Sequence, residues 1–101
     1  MSEKVLLHLI ISPLLEDAVI DLFLEDEGIT GFTSFPVNGH GVSHHSLSSS
    51  EKVSGYKRQI LFQTYLSQQE ADLVIKKLKS NFKGSGMHYW TVPMLGFGRI
   101  D

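Results

Sequence analysis

Residues Val5-Leu6-Leu7-His8-Leu9-Ile10-Ile11 form an apolar run broken by a single histidine. The run has the length of a strand, and alternation places Leu6, His8 and Ile10 on one face and Val5, Leu7, Leu9 and Ile11 on the other. Both sets are mainly apolar, so the strand must be covered on both sides and belongs in the middle of a sheet. It is too short to span a bilayer. Ser12-Pro13 follows it where a secretory leader would show a small-residue cleavage site. A cytoplasmic protein with no direct membrane insertion is expected.

Ser12-Pro13 is also a helix-start signal, with Ser at the cap and Pro at the first helical position. Leu14, Leu15, Ala18, Val19, Leu22 and Phe23 then recur at helical spacing, and Gly28 is a stop. The acidic cluster Glu25-Asp26-Glu27 reads as a solvated helix end. Gly31 to Val37 is aromatic and β-branched, a strand that Pro36 assigns to a sheet edge. From Asn38 to Gly55 Gly, Ser and His dominate, which predicts a long loop over 38–55. Tyr56 to Leu66 reads as the third strand. Ser67-Gln68-Gln69-Glu70 is a capping box, and Ala71, Val74, Ile75, Leu78 and Phe82 form the stripe of a second helix. Lys76, Lys77 and Lys79 suit its C-terminal end. His88 to Val92 is a fourth strand, with Tyr89-Trp90 read as core and subunit packing rather than a base-stacking platform. The tail from Met94 to Asp101 has room for one more strand-like stretch.

The order βαββαβ is the ferredoxin-like split βαβ arrangement, an α+β fold with a four-stranded antiparallel sheet and two helices on one face. The 101 residues amount to one domain. Burial of the sheet's second face needs another layer, and in so short a chain that layer is another subunit. The formal charge of −2 comes with no basic stripe, which argues against nucleic acid. The chain has no cysteine, so a metal would have to take His, carboxylate or backbone ligands.

Three features could carry chemistry. His40, His44 and His45 are close enough in sequence to ligate a divalent transition metal, with Glu51 adding an oxygen; the alternative is a polar loop whose histidines bind nothing. Gly39-His40-Gly41 could bring backbone amides to an anion, and Lys83-Gly84-Ser85-Gly86 invites the same reading; the alternatives are a loop that needs positive φ and a helix C-cap. His8 and His88 fall in strands expected to be neighbours and read as satisfied buried or interface histidines. No catalytic constellation stands out among the serines near His44 and His45, so an enzyme is not expected. The enzymatic competitor with this fold class, acylphosphatase, uses an Arg-bearing phosphate loop after its first strand, whereas Ile11-Ser12-Pro13-Leu14 has neither Arg nor Gly.

The element order, the doubly apolar strands and the long loop resemble the PII-like superfamily, which includes PII nitrogen-regulatory proteins and CutA divalent-cation tolerance proteins. The residues that carry the resemblance are Ser12-Pro13 with Leu15-Glu16-Asp17, Gly31 to Pro36, Gly39-His40-Gly41, Glu51 to Gly55, and Tyr89 to Pro93. They are closest to an uncharacterised PII-like family often encoded beside heavy-metal efflux pumps. The resemblance implies a homotrimer and a T-loop-like segment over 38–55. That segment would meet a protein partner through His40, Val42, Leu47 and Lys52, and the partner class implied is a heavy-metal efflux transporter. It also implies an effector site between subunits near Gly39, Gly41, Lys83, Gly84 and Gly86, of the kind that binds ATP or ADP in PII proteins. The turn here has a single basic residue, and no tyrosine lies between Asn38 and Gly55 as a modification site. The CutA-like alternative is a protein whose function is metal binding itself.

Overall fold

The computed structural model describes residues 3–41 and 56–101. Strand β1 (Lys4–Ile11) leads through a 3-10 turn (Pro13–Leu15) into helix α1 (Glu16–Glu25). Strands β2 (Thr33–Gly39) and β3 (Lys57–Ser67), helix α2 (Gln68–Asn81) and strand β4 (His88–Pro93) follow. The strand order is β2-β3-β1-β4, and every neighbouring pair is antiparallel. This is the α+β ferredoxin-like arrangement expected from the element order. The apolar run of β1 is central, and Pro36 lies on an edge strand, where a missing ladder donor is tolerated.

The core lies between the sheet and the helices. Val5, Leu7, Leu9 and Ile11 of β1 and Ile60, Phe62 and Leu66 of β3 are buried there. They meet Val19 and Phe23 of α1 and Ala71, Val74, Ile75 and Leu78 of α2. Phe23 stands edge-on to Phe32 and Phe62, at ring separations of 5.3 and 5.7 Å. Thr64 is the buried polar residue of this layer, and its hydroxyl donates to the Gly31 carbonyl at 2.7 Å, so its burial leaves no unpaired group.

Local expectations are corrected at several points. Ser12 does cap, accepting from the Leu14 amide at 3.3 Å, but it caps the 3-10 turn, and the α-helix begins at Glu16. Asn38 and Gly39 are strand rather than loop, because Arg58 and Lys57 offer them ladder partners that local propensity cannot foresee. The cluster at 25–27 is not simply solvated. The Asp26 side chain is only 9% exposed and pairs with Lys77 Nζ at 2.9 Å, while its other oxygen accepts from the Gly28 amide at 2.8 Å. Tyr89 and Trp90 are 43% and 42% exposed and lie outside the core. No strand forms between Met94 and Asp101.

The face of the sheet away from the helices is the second apolar layer that β1 demands. Register places Leu6, His8 and Ile10 of β1 opposite Tyr65, Gln63 and Leu61 of β3 and opposite Val92, Trp90 and His88 of β4. Phe35 and Val37 of β2 extend the same face beside Leu61 and Gln59. Phe35, Tyr65, Trp90 and Val92 are each more than a third exposed in the single chain. Among the described residues no helix is long and apolar enough to cross a membrane.

Candidate functional site

The turn between α2 and β4 lines a cleft of about 720 Å³. Its position follows from how α2 ends. The Phe82 amide closes the last helical turn on the Leu78 carbonyl at 2.9 Å, and the Ser85 amide then turns back to the Phe82 carbonyl at 3.1 Å. Gly84 and Gly86 adopt φ of +80° and +78°, a left-handed conformation costly for residues with a Cβ. The Met87 amide is held by Ser85 Oγ at 3.4 Å. The turn thus delivers β4 to the edge of the sheet and leaves a hollow between α2 and the helix-side face of that strand.

The hollow has an apolar floor and a basic rim. Leu9, Ile75, Leu78, Phe82 and Met87 line it with Tyr89, while Lys76, Lys79 and Lys83 bring three ammonium groups to its edge. Lys79 Nζ sits 5.7 Å from the centre of the Tyr89 ring, a cation–π distance. Such a site favours a small anion with an apolar or planar portion. Lys83, Gly84 and Gly86, expected from sequence as an anion-binding turn, are therefore brought together. Lys76, Lys79 and Tyr89 were missed as members of the site. Lys76 and Lys79 are three apart on α2 and Lys83 follows the helix end in the turn, a signal present in the sequence but readable equally as a solvated helix end.

Gly39 and Gly41 do not join this cleft within one chain. Gly39 ends β2, and its pairing with Lys57 places it at the same end of the sheet as His88. However, β3 and β1 lie between β2 and β4, a lateral separation of about 14 Å from ordinary strand spacing. A Cβ on Gly39 would run into the end of the Gln59 side chain, which would have to move aside, while the Lys57 backbone is no closer than ordinary contact. His40 follows at the strand end, with its ring 6.0 Å from that of Tyr56. His44, His45 and Glu51 of the expected metal set, and Val42, Leu47 and Lys52 of the expected partner surface, lie outside the described residues. Among the described residues no group of three His, Asp or Glu side chains is placed to hold a metal ion.

His8 and His88 lie on the same sheet face but are not directly opposed, since His8 faces Trp90 and His88 faces Ile10. His8 stacks on Trp90 with ring centres 5.1 Å apart and planes 15° apart. Its Nε2 lies 3.0 Å from the Gln63 side-chain amide nitrogen. The other nitrogen, Nδ1, is buried without a hydrogen-bond partner. His8 is thus not a fully satisfied histidine within the single chain.

Solved structures of known proteins share this fold. A DUF3240 family protein from Shewanella baltica is 22% identical, with both chains covered completely and a TM-score of 0.82. CPII from Thiomonas intermedia, a nitrogen regulatory PII-like protein bound to ADP, AMP and bicarbonate, is 16% identical. That match covers 96% of this chain and 97% of the other, with a TM-score of 0.70. The periplasmic divalent cation tolerance protein CutA from Archaeoglobus fulgidus is 8% identical over 95% and 88% of the two chains, with a TM-score of 0.72. No curated protein matches the sequence. At these identities the structural likeness speaks for the fold alone, and that fold is the one shared by PII-like and CutA-like proteins. The model of the family described as "protein of unknown function (DUF3240)" matches residues 1–101, and the chain belongs to that family.

Proposed function

We propose that the chain is a PII-like regulatory protein: a one-domain subunit of a homotrimer that binds a small anionic effector and signals to a protein partner through residues 38–55. It is a binding protein and not an enzyme. The observation that carries this reading is the lysine-rimmed, apolar-floored cleft at the Lys83 to Gly86 turn. Its chemistry suits a nucleotide better than inorganic phosphate, because the apolar floor would be unused by a bare anion. Gly39 and Gly41 lie at the same end of the sheet but at the opposite edge. Packing of sheets through their open faces is the arrangement that would bring one subunit's strand end to the neighbour's cleft. A nucleotide at that junction would couple effector level to the shape of the 38–55 loop.

The CutA-like likeness supports a second reading, in which His40, His44, His45 and Glu51 bind a divalent transition metal as the function itself. Calorimetric titration with ADP, ATP, zinc, copper and nickel separates the two. The regulatory reading expects nucleotide binding that Lys79→Ala and Lys83→Ala weaken. Metal binding lost in the triple variant His40→Ala, His44→Ala, His45→Ala, without nucleotide binding, would replace it. Sedimentation at neutral pH should show a trimer, and a folded single chain would remove the basis of the inter-subunit site. The partner class to test first is the heavy-metal efflux transporter implied by the sequence resemblance.

A further inference from the structure

The open sheet face is apolar, and its ionisable groups are unusually one-sided. Among the described residues it carries Lys4 and His8 from β1, Lys57 and Tyr65 from β3, and His88 from β4, while β2 contributes Thr33, Phe35, Val37 and Gly39. None of the described residues that register places on this face is Asp or Glu. In the tail, Phe97 leans on Tyr65 and lies under Lys4 Nζ, and the tail's carboxylate, Asp101, is paired with Arg99 at 2.8 Å. Among the described residues of this face, every group that gains charge on acidification therefore becomes a cation with no carboxylate placed beside it by the register.

His8 is at the centre of that arrangement. The Gln63 side-chain amide faces Nε2 at 3.0 Å and can present either its nitrogen or its oxygen there, so this contact survives a change of protonation. Nδ1 is buried with no partner. The imidazolium carries a proton on both nitrogens, so protonation leaves the Nδ1–H without an acceptor and places a cation among Leu6, Ile10 and Leu61. A charge sealed among apolar side chains with no counter-ion is strongly disfavoured.

We propose that His8, assisted by His88, is a pH switch for self-association: copies of this chain pack their open faces together while the imidazoles are neutral and separate when they are protonated. The inference rests on the reading that the open face is the subunit interface. The sign follows from linkage. An interface that admits only the neutral imidazole is formed while the rings are neutral and is lost as pH falls and they take up protons. Each excluded imidazole then weakens association by up to about tenfold per pH unit. Three symmetry-related His8 rings lower a trimerisation constant by up to about a thousandfold per pH unit, and His88 adds to this.

The test is sedimentation equilibrium of the full chain at pH 7.5 and 5.5, with circular dichroism to verify that the fold persists. The expected result is an oligomer at pH 7.5 that yields folded single chains at pH 5.5. His8→Gln and His8→Phe, the latter keeping a ring on Trp90, should hold the oligomer together at pH 5.5. If only one variant folds, that one decides. An oligomer unchanged by pH in the native chain, or variants that dissociate in acid as the native chain does, would overturn the switch while leaving the interface intact. A folded single chain already at pH 7.5 would instead overturn the underlying reading of the face. Trp90 is the chain's single tryptophan, so its emission gives an independent readout. The switch expects emission to change with the same pH midpoint as dissociation, and a constant emission across that range counts against it.

Discussion

Ser67 and Glu70 show how far single residues can be read from the chain. The Glu70 amide donates to Ser67 Oγ at 3.1 Å, and the Ser67 amide donates to Glu70 Oε1 at 2.9 Å. The capping box legible in the sequence is therefore present in full. The Ser67 backbone amide is the main reason that the Glu70 carboxyl is held below the usual glutamate range, with the Ser67 side chain second. A carboxyl depressed in the folded state contributes stability above its unfolded titration point, and that contribution is lost as pH falls through the folded one. Replacing Glu70 by Gln should flatten the acid limb of a stability-against-pH curve below about pH 4.5. An unchanged limb would show that the interaction is fully screened at the surface. Ser67→Ala should lower stability by about 1 kcal/mol in urea denaturation. Gly84→Ala and Gly86→Ala should each lower it by about 1–2 kcal/mol through backbone strain alone, since a Cβ at either position meets open space.

At the scale of elements, the alternation of β1 was sufficient to predict a central strand, and the stripe of α2 matched its buried face. The stripe of α1 held only in part: Val19 and Phe23 are buried, but Ala18 is exposed and Leu14 is 93% exposed in the 3-10 turn. Asp26 was not legible. Three consecutive acidic residues at a helix end have the same composition whether they face water or a neighbouring helix. The choice is made by Lys77, fifty-one positions later, whose Nζ reaches Asp26 Oδ2. Asp26→Ala should cost about 1–2 kcal/mol, because it removes both this pair and the acceptor for the Gly28 amide. Lys77→Ala should cost less than about 1 kcal/mol, since the Lys77 side chain is half exposed and the Gly28 contact survives. Chemical denaturation of the two variants decides the order, and a larger loss for Lys77 would refute the assignment. The cleft was half legible on the same grounds. Its glycines announce a turn, but only the docking of α2 beside β4 shows that Lys79 and Tyr89 complete its wall.

Across the whole molecule, the helix layer and the open face divide the labour of the sheet. The first holds the fold together, and the second leaves Phe35, Tyr65, Trp90 and Val92 uncovered. Ile10→Glu should therefore separate subunits while leaving the fold intact, as seen by sedimentation and circular dichroism. Phe62→Ala, on the buried face, should instead destabilise the chain by about 3–5 kcal/mol. If Ile10→Glu unfolds the chain as Phe62→Ala does, the two faces are not independent.

By itself the sequence determined the element order, the central place of Val5 to Ile11, the capping of the second helix and the need for a second covered face. These follow from short-range periodicity and local hydrogen-bonding chemistry, which neighbouring residues carry in full. The tertiary structure decided which distant side chains meet: Asp26 with Lys77, His8 between Trp90 and Gln63, and three lysines around a common hollow. It also decided that Gly39 and the Lys83 to Gly86 turn share an end of the sheet but lie at opposite edges. Strand order and register set these meetings. Both are settled by the packing of the whole sheet against its helices, so no window of sequence contains them.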